Sequence, residues 1–220
     1  GRKLMTVQQV KSKKRVADHG EVFTSEREVN AMLDLVKDET EKLESTFLEP
    51  ACGTGNFLAE ILRRKLAVVK RRYKGNQLDF ERNSTIAIAS VYGVDILQDN
   101  IVECRARLFD IFNEMYIKTY KKKSRDSVRK AVKFILDKNI VWGDALSLET
   151  VGDNSQTIVF SQWSAINGSK IKRKDFCYKS MIDQASLSEL PLFSDLGEEA
   201  YIPTPIKDYP PVHFLEIADA

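Results

Sequence analysis

The sequence predicts an α/β domain with a mainly parallel, doubly wound sheet and helices on both faces. Three observations predict it. Short apolar segments alternate with longer stretches of helical periodicity. A glycine turn, Ala51 to Gly55, lies between the first apolar segment and the first long helix. Hydrophobic residues make up 43% of the 220, enough to bury the core of one domain.

The elements follow in order. Ser25 and Glu28 are spaced as a capping box, and Val29, Met32, Leu33, Val36 and Leu43 continue at helical spacing. A helix over 26–43 is therefore expected. Thr46 to Glu49 reads as a buried strand, Asn56 to Arg72 as the helix after the glycine turn, and Lys74 to Asn83 as a polar connection. Val91 to Ile96 is the second strand. Ile101, Cys104, Leu108, Ile111, Phe112 and Met115 mark a long amphipathic helix from Asp99 to Tyr120. A lysine-rich break precedes a helix through Val128, Val132, Ile135 and Leu136. Ile140 to Trp142 and Thr157 to Phe160 are the third and fourth strands.

Beyond about residue 165 the pattern decays. Gln184 to Leu196 is mixed and polar. Pro203, Pro205, Pro210 and Pro211 exclude a helix where they crowd together. Short strands at Glu199 to Ile202 and Val212 to Ile217 fit an otherwise irregular tail. The expected organisation is a basic arm over 1–20, a domain over 21–168, and a basic segment with a proline-rich tail over 169–220.

The formal charge is only +2, so the molecule as a whole is no polycation. Its cations are clustered at Lys11 to Arg15, Lys121 to Lys123 and Lys170 to Lys174. Such clusters suit phosphate contact, but a solvated face explains them equally simply, above all at Lys121 to Lys123. Three scattered cysteines and two histidines argue against a zinc site and a disulfide framework. With no apolar run long enough to span a membrane, the expected setting is the reducing cytoplasm.

The most specific string is Phe47-Leu-Glu-Pro-Ala-Cys-Gly-Thr-Gly-Asn-Phe57. Glycines between a strand and a helix allow a sharp turn and close approach to a ligand. The string closely resembles the cofactor loop of S-adenosylmethionine-dependent DNA adenine methyltransferases, including the modification subunits of restriction systems. His19 to Thr24 resembles the family's segment that closes over the methionine end of the cofactor. Gly93-Val-Asp-Ile96 resembles the acidic end of the second strand, and Trp142-Gly-Asp-Ala-Leu146 the third-strand motif. These segments follow the family's order over about residues 19–163.

The resemblance implies a Rossmann-like, class I methyltransferase fold, here with the sheet cut short. It implies S-adenosylmethionine as cofactor and double-stranded DNA bearing a target adenine as partner. Phe23 and Thr24 would close the site, and the backbone N–H groups of Ala51 to Gly55, Gly53 among them, would line the methionine portion. Glu49 would face the ammonium, Asp95 the ribose and Asp144 the adenine amine, with Ile96 and Ala145 on the ring faces.

The match breaks after the fourth strand. The family carries Asp, Asn or Ser, then Pro-Pro, then an aromatic residue; this chain has Phe160-Ser-Gln-Trp-Ser164. Ser161 supplies a polar group and Trp163 a stacking surface for a flipped base, or they are a strand end and core packing. No recognition domain fits in what remains, so target choice would come from a protein partner. The reaction implied is methyl transfer to the exocyclic amine of adenine in DNA. A catalytically silent subunit, partnering a nuclease or an active methyltransferase, is the alternative; RNA or protein methylation is a third.

Overall fold

The computed structural model describes residues 25–180 and 204–220. The fold is α/β. Helix α1 (Glu26–Asp34) and the short α2 (Lys37–Thr40) precede strand β1 (Phe47–Glu49). Helices α3 (Asn56–Tyr73) and α4 (Gln77–Ala89) lead to β2 (Val91–Asp95). Helix α5 (Gln98–Tyr120), a 3-10 turn (Lys121–Lys123) and α6 (Asp126–Asn139) lead to β3 (Ile140–Asp144). Then come β4 (Glu149–Thr150), β5 (Val159–Ala165), β6 (Lys170–Cys177), β7 (Lys207–Asp208), β8 (Val212–His213) and a 3-10 helix (Phe214–Asp219).

Strands β1, β2 and β3 pair in parallel, and β4 adds antiparallel to β3. Side chains alternate across β2 and so separate two cores. Val91 enters the large core beneath the helices, while Tyr92 and Val94 join Ile158, Phe160 and Tyr178 on the other face. On the helical face α3 packs on α4 and α5, and α6 packs on the same two helices. The four close a ring of contacts built from two helical hairpins. Helices on both faces were expected; among the described residues the second face is covered by Ile158, Phe160 and Tyr178.

The capping box at Ser25 and Glu28 is present, but the expected long helix breaks at Val36 (φ −123°, ψ 33°). Val36 and Leu43 do not share a stripe: Val36 is 44% exposed and Leu43 is buried. The supposed polar connection is the start of α4, whose N-cap Asn76 accepts from the Asp79 N–H at 3.1 Å. This helix buries polar residues such as Glu81, Ser84 and Thr85. It therefore shows no amphipathic stripe in the sequence.

The fourth strand is the largest departure. Strand β5 lies two residues later than expected and pairs antiparallel with β6, in a sheet separate from β1–β2–β3. The basic run Lys170 to Lys174 is the first part of β6. The expected boundary after residue 168 falls in the turn of this hairpin. Gly143 fixes the approach to it, because a Cβ there would stand 2.7 Å from Ile158 Cδ1. The tail returns to the body: Phe214 and Ile217 are buried in the main core. Val212 is in a strand as expected, but Phe214–Asp219 turns as a 3-10 helix. The arm, the expected lid at His19 to Thr24, the Gln184 to Leu196 stretch and the Glu199 to Ile202 strand lie outside the described residues.

Candidate cofactor site at the carboxyl edge

Glu49, Asp95 and Asp144 are the last residues of β1, β2 and β3. Parallel pairing brings the ends of these strands to one edge, where ligands of open α/β sheets bind. The glycine turn crosses the same edge. Gly53 (φ +55°) and Gly55 (φ +89°) are both left-handed, a conformation L side chains rarely adopt. A Cβ on Gly53 would meet nothing within 4 Å, whereas one on Gly55 would stand 2.8 Å from Cys104 Sγ. Gly53 thus faces open space, while Gly55 packs against α5. Gly93 lets the turn settle onto β2, since a Cβ there would lie 2.9 Å from both Cys52 Sγ and Leu58 Cδ1.

The turn is tied down mostly by its own N–H groups. Cys52 N donates to Val94 O and Gly55 N to Cys52 O, both at 2.9 Å. Gly53 N donates to Asp95 Oδ2 at 2.9 Å. The Ala51 N–H serves the Glu49 carboxyl, whose pKa is nonetheless raised by burial. The expected row of free N–H groups from Ala51 to Gly55 is therefore largely spent inside the protein. Thr54 N–H alone among them has no hydrogen-bond partner within the described residues.

Asp95 also accepts from Leu97 N (2.9 Å) and Asn100 Nδ2 (3.2 Å) through Oδ1. A carboxylate offers about four acceptor sites, so one remains for a further donor. Asp144 accepts from Leu146 N at 2.8 Å through Oδ1. Its other oxygen has no partner among the described residues. Between these acids Trp142 Nε1 donates to Ile96 O at 2.9 Å, bracing the β2 end against β3. Ile96 is 45% exposed and Leu146 is 95% exposed, so apolar surface flanks the acids. Ala145 packs against the second core. The bracing by Trp142 and the exposure of Leu146 were not foreseen, although both residues lie in a recognised motif.

The Cys52 thiol is buried. Contact with the Cys104 thiol, then burial, push its pKa far above the usual thiol range. Phe23 and Thr24, expected to close the site, lie outside the described residues.

Ser161 and Trp163 are not brought to this edge. Ser161 is buried in β5, where its hydroxyl donates to Asp175 Oδ1 at 2.7 Å and accepts from Arg173 Nε at 3.0 Å. Trp163 Nε1 donates to Asn139 Oδ1 at 2.9 Å. Asn139 in turn donates to Ala89 O at the end of α4 and to Val91 O at the start of β2. Trp163 is therefore at the amino edge of the parallel sheet. Asp95 is four residues further along β2, about 13 Å at the rise of a strand. Trp163 packs, as in the alternative reading, but Ser161 is no strand end: it is the third residue of β5, buried and paired with Asp175.

The Lys170 to Lys174 run is partly neutralised in place. Lys172 pairs with Asp208 at 3.1 Å and Arg173 with Asp175 at 2.9 Å. Arg173 also lies over the Tyr209 ring, 4.2 Å from its centroid. Among the described residues no cluster of three or more His, Cys, Asp or Glu is arranged to hold a metal ion, and no helix is long and apolar enough to cross a membrane. No protein-family model, curated protein or solved structure matches the chain.

Proposed function

We propose that this chain is an S-adenosylmethionine-binding domain of the DNA adenine methyltransferase type, with a Rossmann-like class I methyltransferase fold. The observation that carries the reading is the convergence of a left-handed glycine turn with three strand-terminal acids at one sheet edge. Bound S-adenosylmethionine supplies a sulfonium methyl for transfer to the exocyclic amine of adenine in DNA. The chain's own residues bind and orient. The open face of Gly53 admits the methionine portion, and Glu49 offers a carboxylate to its ammonium. Asp95 accepts from a ribose hydroxyl, and the unpaired oxygen of Asp144 accepts from the adenine amine of the cofactor. Ile96 and Ala145 pack the ring.

The distance of Trp163 from this edge favours the second reading: a cofactor-binding module without an acceptor-base site of its own, partnering a nuclease or an active methyltransferase. Calorimetric titration with S-adenosylmethionine, followed by transfer of labelled methyl to unmethylated duplex DNA, tests both. Binding without transfer is expected from the chain alone. Absence of binding overturns the cofactor assignment; robust transfer overturns the module reading.

A further inference from the structure

The two helical hairpins end side by side, away from the cofactor edge. Helix α3 starts at the glycine turn and is 18 residues long, so its far end is about 27 Å away at 1.5 Å per residue. There Lys70, Arg71, Arg72 and Lys74 are all exposed. The end of α5 is stitched beside them: Tyr120 donates to Lys74 O at 2.9 Å, and Gln77 Nε2 donates to Lys123 O at 2.7 Å. This brings Lys121 to Lys123, also exposed, next to the first group. Two basic runs some fifty residues apart in sequence thus become one surface.

The surface has no local counter-charge to spend. None of these seven cations is in an ion pair among the described residues. The acids that flank the tips are already engaged: Asp79 with Arg82, Glu81 with Arg125 and Asp126 with Arg129. The tip also holds backbone strain. Lys121 has φ +49° and ψ −122°, a conformation suited to glycine. A lysine there carries a backbone cost that glycine would avoid.

We infer that the paired hairpin tips are a docking surface for the phosphodiester backbone of a nucleic acid, separate from the cofactor site. Seven cations spread over two adjoining tips match a line of phosphates, and two of them are arginines able to grip phosphate oxygens in pairs. The cofactor edge lies at the opposite end of these hairpins. A strand held at the tips would therefore tether the domain without entering that edge. The inference does not rest on the cofactor assignment, since a chain that binds no S-adenosylmethionine would keep this surface.

The test is fluorescence anisotropy with a labelled random-sequence 20-mer duplex over a series of salt concentrations. The full chain is compared with Lys121→Gln/Lys122→Gln/Lys123→Gln and with a Lys170→Gln/Lys174→Gln control. Each phosphate contact contributes about 0.9 to the slope of log affinity against log salt. The tip variant should lower that slope by about 2–3 and weaken binding at least about tenfold at low salt. The control should retain most of the slope. Lys121→Gly provides a folded comparison, because it should raise the unfolding temperature while lowering affinity. An unchanged slope in the tip variant overturns the inference. So does binding to vesicles of anionic phospholipid, or to polyglutamate, that matches or exceeds binding to the duplex.

Discussion

The backbone N–H of Gly53 donates to the carboxylate of Asp95, 2.9 Å away. Residues 42 apart in sequence thus join the glycine turn to the end of the second strand. The same carboxylate caps the entry to α5 through Leu97 N and Asn100 Nδ2. Asp95 holds the turn in its left-handed form, and in the proposed function its remaining acceptor site takes a ligand.

Asp95→Ala should therefore affect both stability and binding. Loss of a charge-assisted acceptor for three donors should cost about 1–3 kcal/mol of stability. Affinity for S-adenosylmethionine should fall by roughly 5–150-fold, the same range expressed as a binding ratio. Urea unfolding and calorimetry on one preparation separate the two. Full affinity with reduced stability would leave Asp95 as a tether alone.

Trp163 gives the opposite expectation. Its indole N–H satisfies Asn139, which is fully buried and holds the end of α4 and the start of β2 through two carbonyls. Trp163→Phe keeps the ring but leaves Asn139 Oδ1 without its donor, a cost of about 1–3 kcal/mol. Cofactor affinity should not change. A shift in the denaturation midpoint with unaltered calorimetry is the expected pair of results. A loss of cofactor affinity without a loss of stability would place Trp163 in contact with the cofactor rather than in packing alone.

Much of this was legible in the sequence because local signals and tertiary structure agree there. The turn at Gly53 and Gly55, the acids at Asp95 and Asp144, the capping box at Ser25, and α3, α5 and α6 all lie close to where spacing put them. The failures share a physical cause. In α4 the buried face carries Glu81, Ser84 and Thr85; the hydrogen bonds of Glu81 and Thr85 stand where periodicity seeks an apolar stripe. In β6 the lysines hide a strand whose buried residues are Ile171, Asp175 and Phe176. The antiparallel pairing of Ser161 with Asp175 is a tertiary choice, invisible to any local pattern. So is the meeting of Lys74 with Tyr120. It makes one basic surface from two runs, while Lys170 to Lys174, the run the sequence favoured more for phosphate contact, is partly paired.

Lys65 is a buried cation with a full set of acceptors. Its ammonium donates to Leu43 O at 3.0 Å, to Ser45 O and to Ser90 Oγ at 2.7 Å, tying α3 to the segment that enters β1. Lys65→Met should cost about 2–4 kcal/mol, chiefly because two carbonyls lose their partner in a site water does not reach. Burial lowers the lysine's pKa from 10.5 to about 8. Below pH 8 the side chain is charged in both folded and unfolded chains, and the cost of burying that charge is fully present. Between pH 8 and 10.5 the folded chain releases its proton first, so stability should rise relative to the methionine variant. Chemical denaturation of both proteins across that range measures the difference. A wild-type advantage that shrinks with rising pH would contradict the assignment.

Gly55 and Cys104 give a prediction that separates two causes of glycine selection. Gly55 has φ +89°, and an added Cβ would stand 2.8 Å from Cys104 Sγ but 3.7 Å from Cys104 Cβ. Cys104 is fully buried on α5, so its sulfur has nowhere to swing. Gly55→Ala thus carries a backbone penalty and a steric one, together about 2–5 kcal/mol. Cys104→Ala removes the sulfur that causes the clash and leaves a small void, at about 1 kcal/mol. In the double variant the new methyl group meets Cys104 Cβ at 3.7 Å and Cys104 Cα at 3.9 Å, both ordinary contact distances. The backbone penalty at Gly55 remains. The pair should therefore be less destabilised than the sum of the single variants, with a coupling of about 1–3 kcal/mol. Guanidinium unfolding of the four proteins in the cycle measures it. Strict additivity would mean that the left-handed backbone alone demands glycine here, and that the packing of the turn against α5 contributes nothing to the choice.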